Sequence, residues 1–303
     1  MGNHLFAKRG VLFSLIFFFT VLLQPLGAQK TRALQNKEVI VLFEEPLQFA
    51  AEEVINIYSV VKKELEKTFG WRVDFRPTVF LIKDSGTFQR VAGSDLIVAF
   101  ANAQRNHIVI DYSKMKVHPF TVEITLKHEL CHLLLHHHIE RENLPRWLDE
   151  GIAQWVSGGI AEIIMNQKRS ILDEATLTGR YIRIRALTKR FPQERKSLFL
   201  AYEESKSLVE YMVANFGRDG ILAVLTHLRD GEKVDTALLK GLSISFDELE
   251  RKWKNHLRKR ITWLTYLINY LYEILFFLAA LTMIYGFIRV WIKKRRYRDD
   301  EED

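Results

Sequence analysis

The stretch His128-Glu129-Leu130-Cys131-His132 decides how the chain is read. It has the form H-E-x-x-H. On a helix, residues four apart lie one above the other on the same face. His128 and His132 can therefore aim two imidazole nitrogens at one metal ion, and Glu129 stands close enough to reach a water on that metal. Paired neutral nitrogens suit zinc, and the adjacent carboxylate suits a general base. The flanks argue that the segment is helical, because Val122, Leu126, Leu130, Leu133 and Leu134 fall at three- and four-residue spacings. Pro119 just before them fits a first helical turn. A chain with ten His can also hold these residues by coincidence, as ordinary core or surface groups. The rest of the chain decides between the two readings.

A catalytic zinc takes three protein ligands and keeps one position open. Two residues compete for the third place. His138 stands six residues after His132, the spacing of H-E-x-x-H-x-x-G-x-x-H in metzincins. That pattern turns at a Gly where this chain has Leu135, which favours continued helix. His136 and His137 read as solvated residues at the helix end, where imidazolium suits the dipole, with a polar loop from His136 to Asn143. The other candidate is Glu150, in Trp147-Leu148-Asp149-Glu150-Gly151-Ile152-Ala153. Taken alone it is a helix residue with Asp149 equally available.

Those seven residues resemble the W-L-x-E-G-x-A element of gluzincins, which are H-E-x-x-H peptidases with a third ligand Glu on a following helix. The layout is similar to the bacterial peptidase MA-like domain family over roughly residues 38–260, most strongly over 124–156. The resemblance implies that His128, His132 and Glu150 hold Zn2+, with Glu129 as the base. Ala201-Tyr202-Glu203-Glu204-Ser205 resembles the same family's pattern further on. It implies Tyr202 as the donor to the oxyanion, against a plain packing role, with His227 in reserve. The chain also departs from M1 aminopeptidases. Its connection from His132 to the Glu is one residue shorter, and it lacks the G-x-M-E-N element that holds a substrate amino terminus. The expectation is therefore an endopeptidase.

Both ends of the chain are strongly apolar. Residues 1–28 read as a secretory signal: Lys8 and Arg9, then an apolar run from Val11 to Leu23, then small residues ending at Ala28. Tyr266 to Val290 is a second apolar run, long enough for a bilayer core of roughly 30 Å. Trp263, Tyr266, Tyr270 and Tyr272 crowd one end as an interfacial belt would. Lys293, Lys294, Arg295, Arg296 and Arg298 crowd the other, which the positive-inside rule assigns to the cytoplasm. The net charge of +7 thus needs no nucleic acid, since the basic cluster abuts the span. The single cysteine, Cys131, excludes an intrachain disulfide and reads as a small buried residue of the metal helix.

Between these ends the pattern gives a strand at 38–43 and a helix from Pro46 to Phe69, with Phe49, Val54, Ile57, Val61 and Leu65 as its stripe and Gly70 as its stop. Strands follow at Thr78–Ile82, Leu96–Phe100 and 105–111, with a short helix around Thr87–Val91. The segment Asn106–Asp111 is a candidate sheet edge for an extended substrate. After the metal helix come helices at Leu144–Val156, Ser197–Phe216 (stopped by Gly217), Asp219–Leu228, Asp235–Gly241 and Phe246–Lys259, with mixed short elements over Ala161–Pro192. Gln154, one turn after Glu150, is a candidate to orient a ligand.

The expected fold class is α+β. A zincin-like mixed sheet carries the H-E-x-x-H helix (38–140), a helical lobe follows (141–260), and a transmembrane helix (264–290) and cytoplasmic tail (291–303) end the chain. The expected activity is hydrolysis of peptide bonds in a peptide or protein substrate, by an exported, membrane-anchored zinc enzyme with its catalytic domain outside the cytoplasm. The alternative is a non-catalytic zincin-fold module that binds a partner at the cell surface.

Overall fold

The computed structural model describes residues 31–115, 120–159, 170–260 and 270–299. The signal segment, Pro119, Trp263 and Tyr266 lie outside the described residues. The chain divides into two compact units, Met1–Leu130 and Cys131–Asp303. The division falls inside the H-E-x-x-H helix rather than after it at residue 140. One physical reason is Lys127, whose Nζ pairs with Glu64 at 2.7 Å and ties the first half of that helix to the first unit.

The first unit is built on a five-stranded sheet in the order β1-β2-β3-β5-β4. The strands are β1 (Arg32–Gln35), β2 (Ile40–Phe43), β3 (Thr78–Ile82), β4 (Ala99–Asn102) and β5 (His107–Asp111). β2, β3 and β5 run parallel, in a register that sets Val41 against Val79 and Val79 against Ile108. β1 and β4 join antiparallel at the two edges. Two expectations are corrected here. The sheet begins before residue 38, because the exposed, polar-leaning Arg32–Gln35 adds an edge strand that no alternation announces. The segment Asn106–Asp111 is not an edge, since β5 is paired on both sides; the edge beside it is β4.

Helix α1 (Gln48–Phe69) follows β2 and buries Ala50, Ala51, Val54, Tyr58, Val61, Leu65 and Phe69. Phe49, expected in the stripe, is 77% exposed. It lies five residues before Val54, off the face that Val54, Val61 and Leu65 define, and Ala50 takes its place. Gly70 ends the helix at φ 71°. α2 (Ser85–Ala92) is capped by the Asp84 carboxylate, which accepts from the Thr87 N–H at 2.6 Å.

α3 (Val122–His138) carries the motif and is buried nearly all round. It runs through His138, so the polar loop begins later than expected, as Leu135 continues the helix and Ile139 donates back to the Leu135 carbonyl at 2.8 Å. In the second unit follow α4 (Arg146–Ser157), α5 (Ile171–Thr178), α6 (Arg195–Arg229), α7 (Val234–Leu242) and α8 (Phe246–Arg260). α6 packs against α4, α5 and α7. It breaks at Gly217, whose φ of 73° and ψ of 174° interrupt the helical run where the glycine predicted a stop. Trp253 of α8 is fully buried and donates its Nε1–H to Ser207 of α6 at 3.1 Å. α9 (Leu271–Asp299) closes the described chain. Its Leu271–Lys294 stretch is exposed along its apolar length, and is long and apolar enough to cross a membrane.

Candidate metal centre

Helical periodicity puts His128 and His132 on one face of α3, and both are buried, as is Glu129 between them. The third residue comes from α4. Pro145 enters that helix in an extended conformation, and its carbonyl accepts from the Leu148 and Asp149 N–H groups at 2.9 and 3.0 Å. Trp147, fully buried, anchors the first turn edge-on against Phe246 at 6.0 Å. With Trp147 and Leu148 fixed in the core, Asp149 and Glu150 are carried inward beside the histidines. Gly158, at φ 78°, stops the helix.

His128, His132 and Glu150 each offer one ligand atom, and these atoms lie within 4.8 Å of one another with all three residues buried. Among the described residues this is the one such group of three. His138, the rival third ligand, is outside it; its ring meets His137 edge-on at 5.4 Å. Glu150 Oε2 faces His132 Nε2 at 3.7 Å.

The adjacent carboxylate has a different job. Asp149 Oδ1 lies 2.7 Å from His132 Nδ1, and its Oδ2 lies 3.0 Å from His136 Nε2. His136 is therefore not simply solvated at the helix end, as expected, but turned onto Asp149. Burial alone would push the Asp149 carboxyl up. The charge and hydrogen bonds of the His132 and His136 imidazoles outweigh it and hold the group well below the usual carboxylate range. When His132 is neutral and donates Nδ1–H to Asp149, its Nε2 carries the lone pair, and that nitrogen is the one that faces Glu150. This is how a carboxylate behind a histidine selects the tautomer that binds metal.

The residues fit a zinc ion. The donor set is two imidazoles and one carboxylate, desolvated together, with the second imidazole already oriented from behind. The side chain that contacts His132 from behind is Asp149, not Gln154, the residue expected there. Gln154 instead donates Nε2–H to the main-chain carbonyl of Tyr202 at 3.2 Å, tying α4 to α6. Sequence reasoning missed Asp149 and His136 as partners, although His136 stands four residues after His132 on the same face.

α4 reaches its position by a close approach. A Cβ on Gly151 would lie 2.5 Å from the Ser205 carbonyl oxygen and 2.6 Å from Val209 Cγ2, so only glycine lets α4 lie against α6 at this point. Tyr202 is on the same stretch of α6, nearly buried, with its ring edge-on to Phe191 at 4.9 Å. Phe191 in turn lies under the Arg146 guanidinium at 5.8 Å, and Arg146 is ion-paired with Glu150. His227 lies beyond the Gly217 break, with Nδ1 3.5 Å from Glu232.

A family model described as the peptidase MA superfamily matches residues 89–259, more than half of the chain. No curated protein matches. Among solved structures, the chain is similar to yeast LTA4 hydrolase in complex with bestatin, at 14% identity over 78% of this chain and TM-score 0.45. It is also similar to an M1 zinc metallopeptidase from Deinococcus radiodurans, at 15% identity over 76% of this chain and TM-score 0.40. The chain spans 39% and 51% of the length of those two proteins.

Proposed function

The chain belongs to the peptidase MA superfamily, and on that premise we propose that it is a membrane-anchored zinc metallopeptidase. The observation that carries the reading is the buried group of His128, His132 and Glu150 beside Glu129. His128 and His132 would hold the metal through ring nitrogens, and Glu150 through a carboxylate oxygen. Bound zinc supplies a Lewis acid and lowers the pKa of a bound water to about 7. Glu129 takes the proton from the attacking water and hands it to the leaving amine. Tyr202 donates its phenolic O–H to the oxygen on which negative charge develops. Its support is indirect: Phe191 joins it to Arg146 and so to Glu150. The outer side of β4, the sheet edge next to β5, offers main-chain groups to an extended peptide.

Endopeptidase action rests on the absence of a G-x-M-E-N element from the sequence. Export rests on the signal-like residues 1–28, and anchoring on the unburied apolar stretch of α9. Together with the basic cluster after Val290, these support a catalytic domain outside the cytoplasm and a cytoplasmic C-terminus. The deciding experiment measures zinc content and cleavage of a peptide library by the detergent-solubilised chain. Glu129→Gln is expected to keep zinc and lose cleavage, and His128→Ala to lose both. Cleavage by Glu129→Gln at the wild-type rate would sink the mechanism. A wild type that binds zinc but cleaves nothing would favour the surface binding module.

A further inference from the structure

Arg146 is the first residue of α4, where the helix dipole is positive and a cation is unfavourable. It pairs with a Glu four residues later, the reverse of the order that stabilises a helix best. Helix stability therefore does not account for it. The surroundings of Glu150 do. Arg146 Nη2 is ion-paired with Glu150 Oε1, while Nη1 lies 3.7 Å from Asp149 Oδ2. The other Glu150 oxygen, Oε2, faces His132 Nε2. One carboxylate thus presents its two oxygens to two different partners. The Arg146 side chain is 39% exposed and Glu150 is wholly buried, so the cation reaches into the site from the surface. It is seated from below: its main-chain N–H donates to the Thr188 carbonyl at 2.8 Å, and the Phe191 ring lies under its guanidinium.

We infer that Arg146 is a positioning residue that makes Glu150 a one-oxygen ligand, holding Oε1 to the guanidinium and leaving Oε2 for the metal. The inference rests on the zinc-peptidase reading above. A carboxylate with both oxygens available can chelate through both, and a second oxygen would take up the position that a catalytic zinc keeps open. The guanidinium is planar and always charged, so it stays on Oε1 across the physiological pH range. It also supplies one positive charge among three buried carboxylates, Glu129, Asp149 and Glu150, a density of negative charge that burial otherwise makes costly.

The test replaces zinc with Co2+ in the purified full-length chain and records visible absorption per bound metal, which falls as coordination number rises. Arg146→Met and Arg146→Gln are compared with wild type and with Glu150→Gln, and circular dichroism identifies which variants are folded. Both Arg146 variants are expected to bind one Co2+ per chain with a loss of visible intensity, the sign of an added ligand oxygen. An unchanged spectrum in either folded variant overturns the inference. The two levels fail separately. If wild type binds no Co2+, or Glu150→Gln leaves the spectrum unaltered, the metal site itself is wrong. If Glu150→Gln alters the spectrum and the Arg146 variants do not, only the role of Arg146 is lost.

Discussion

Asp149 and Glu150 are neighbours on one turn, both buried, and they do different work because a helix rotates them by about 100° from each other. Glu150 faces Nε2 of His132, and Asp149 meets Nδ1, the opposite nitrogen of the same ring. Removing Asp149 frees His132 to take the wrong tautomer. Asp149→Ala is expected to weaken zinc binding by about 10–100-fold, measured by competition with a chelator, while Glu129→Gln leaves it near wild type. Equal affinities in Asp149→Ala and wild type would show that the hydrogen bond orients nothing. The sequence named His128, His132 and Glu150, but it chose Glu150 over its neighbour Asp149 only through the resemblance to gluzincins and gave Asp149 no role of its own. Two adjacent carboxylates look alike until the rotation of α4 is known, and that rotation is set by Trp147 packing on Phe246, ninety-nine residues away. Glu204 is a second carboxyl the sequence could not single out. It is fully buried on α6, accepting from the Ile182 N–H at 3.0 Å, and burial pushes it up to about 8 from 4.5, against the pull of that hydrogen bond and of Lys254. The folded chain therefore holds this proton where the unfolded chain has released it. The contribution to stability is complete below pH 4.5 and is lost as pH rises through about 8. The slope approaches about 1.4 kcal/mol per pH unit at most for one group. Glu204→Gln keeps the shape without the titration, so its denaturation midpoint is expected to change less between pH 5 and 8 than that of wild type. Parallel curves for the two proteins would rule this out.

The elements show where sequence reading succeeds. α1, β3, α8 and the two halves of α6 have bounds close to those expected, because each is bracketed by a stop or a strong period: Gly70, a run of β-branched and aromatic residues, Gly217. β1 and the interior position of β5 were not legible. Pairing partners are chosen by the whole sheet, and a four-residue edge strand carries almost no pattern of its own. The α4–α6 contact lies between these cases. The sequence contains Gly151 but says nothing of what lies opposite it. The structure puts the Ser205 carbonyl there, and Ser205 turns its hydroxyl back onto the Ala201 carbonyl at 2.7 Å, out of the way. Gly151→Ala must push α4 off α6 by tenths of an ångström or more. A loss of about 1–3 kcal/mol in stability is expected, as for other overpacked contacts, together with weaker zinc binding, since Glu150 rides on the displaced helix. Gly158→Ala is the control. Its added Cβ meets nothing within 4 Å, but φ is +78°, so it carries only backbone strain of about 1–2 kcal/mol. It should lower stability and leave zinc affinity alone. Equal zinc affinities in Gly151→Ala and Gly158→Ala would mean that helix packing does not set the ligand.

For the whole molecule, α9 is the element that the peptidase chemistry does not explain. Its Phe276, Phe287 and Met283 side chains are 77%, 73% and 69% exposed, and nothing described in the chain covers them. Each large apolar side chain left in water forgoes about 1.5–3 kcal/mol of transfer free energy, so a helix with many of them requires another solvent. The Leu271–Lys294 stretch has 24 residues, and a bilayer core of roughly 30 Å needs about 20. Length, composition and exposure make α9 a candidate span, and the orientation proposed above puts the basic residues that follow on the cytoplasmic side. On that reading a net charge of +7 is no argument for a nucleic-acid partner, since five of the basic residues, from Lys293 to Arg298, follow the apolar stretch in sequence, where a span would offer them anionic headgroups. The expected outcome is that the full chain stays with membranes through alkaline carbonate extraction. A chain of residues 31–260 expressed with an export signal is expected to be recovered in the soluble fraction with its zinc. Protease added from outside the cell should digest the body of the full chain and spare an epitope fused after Asp303. Release of the full chain by carbonate would remove α9 as an anchor. Loss of the fused epitope to external protease would reverse the orientation and place the zinc site on the cytoplasmic side, where neither the signal-like N-terminus nor the positive-inside asymmetry would have a reason to exist.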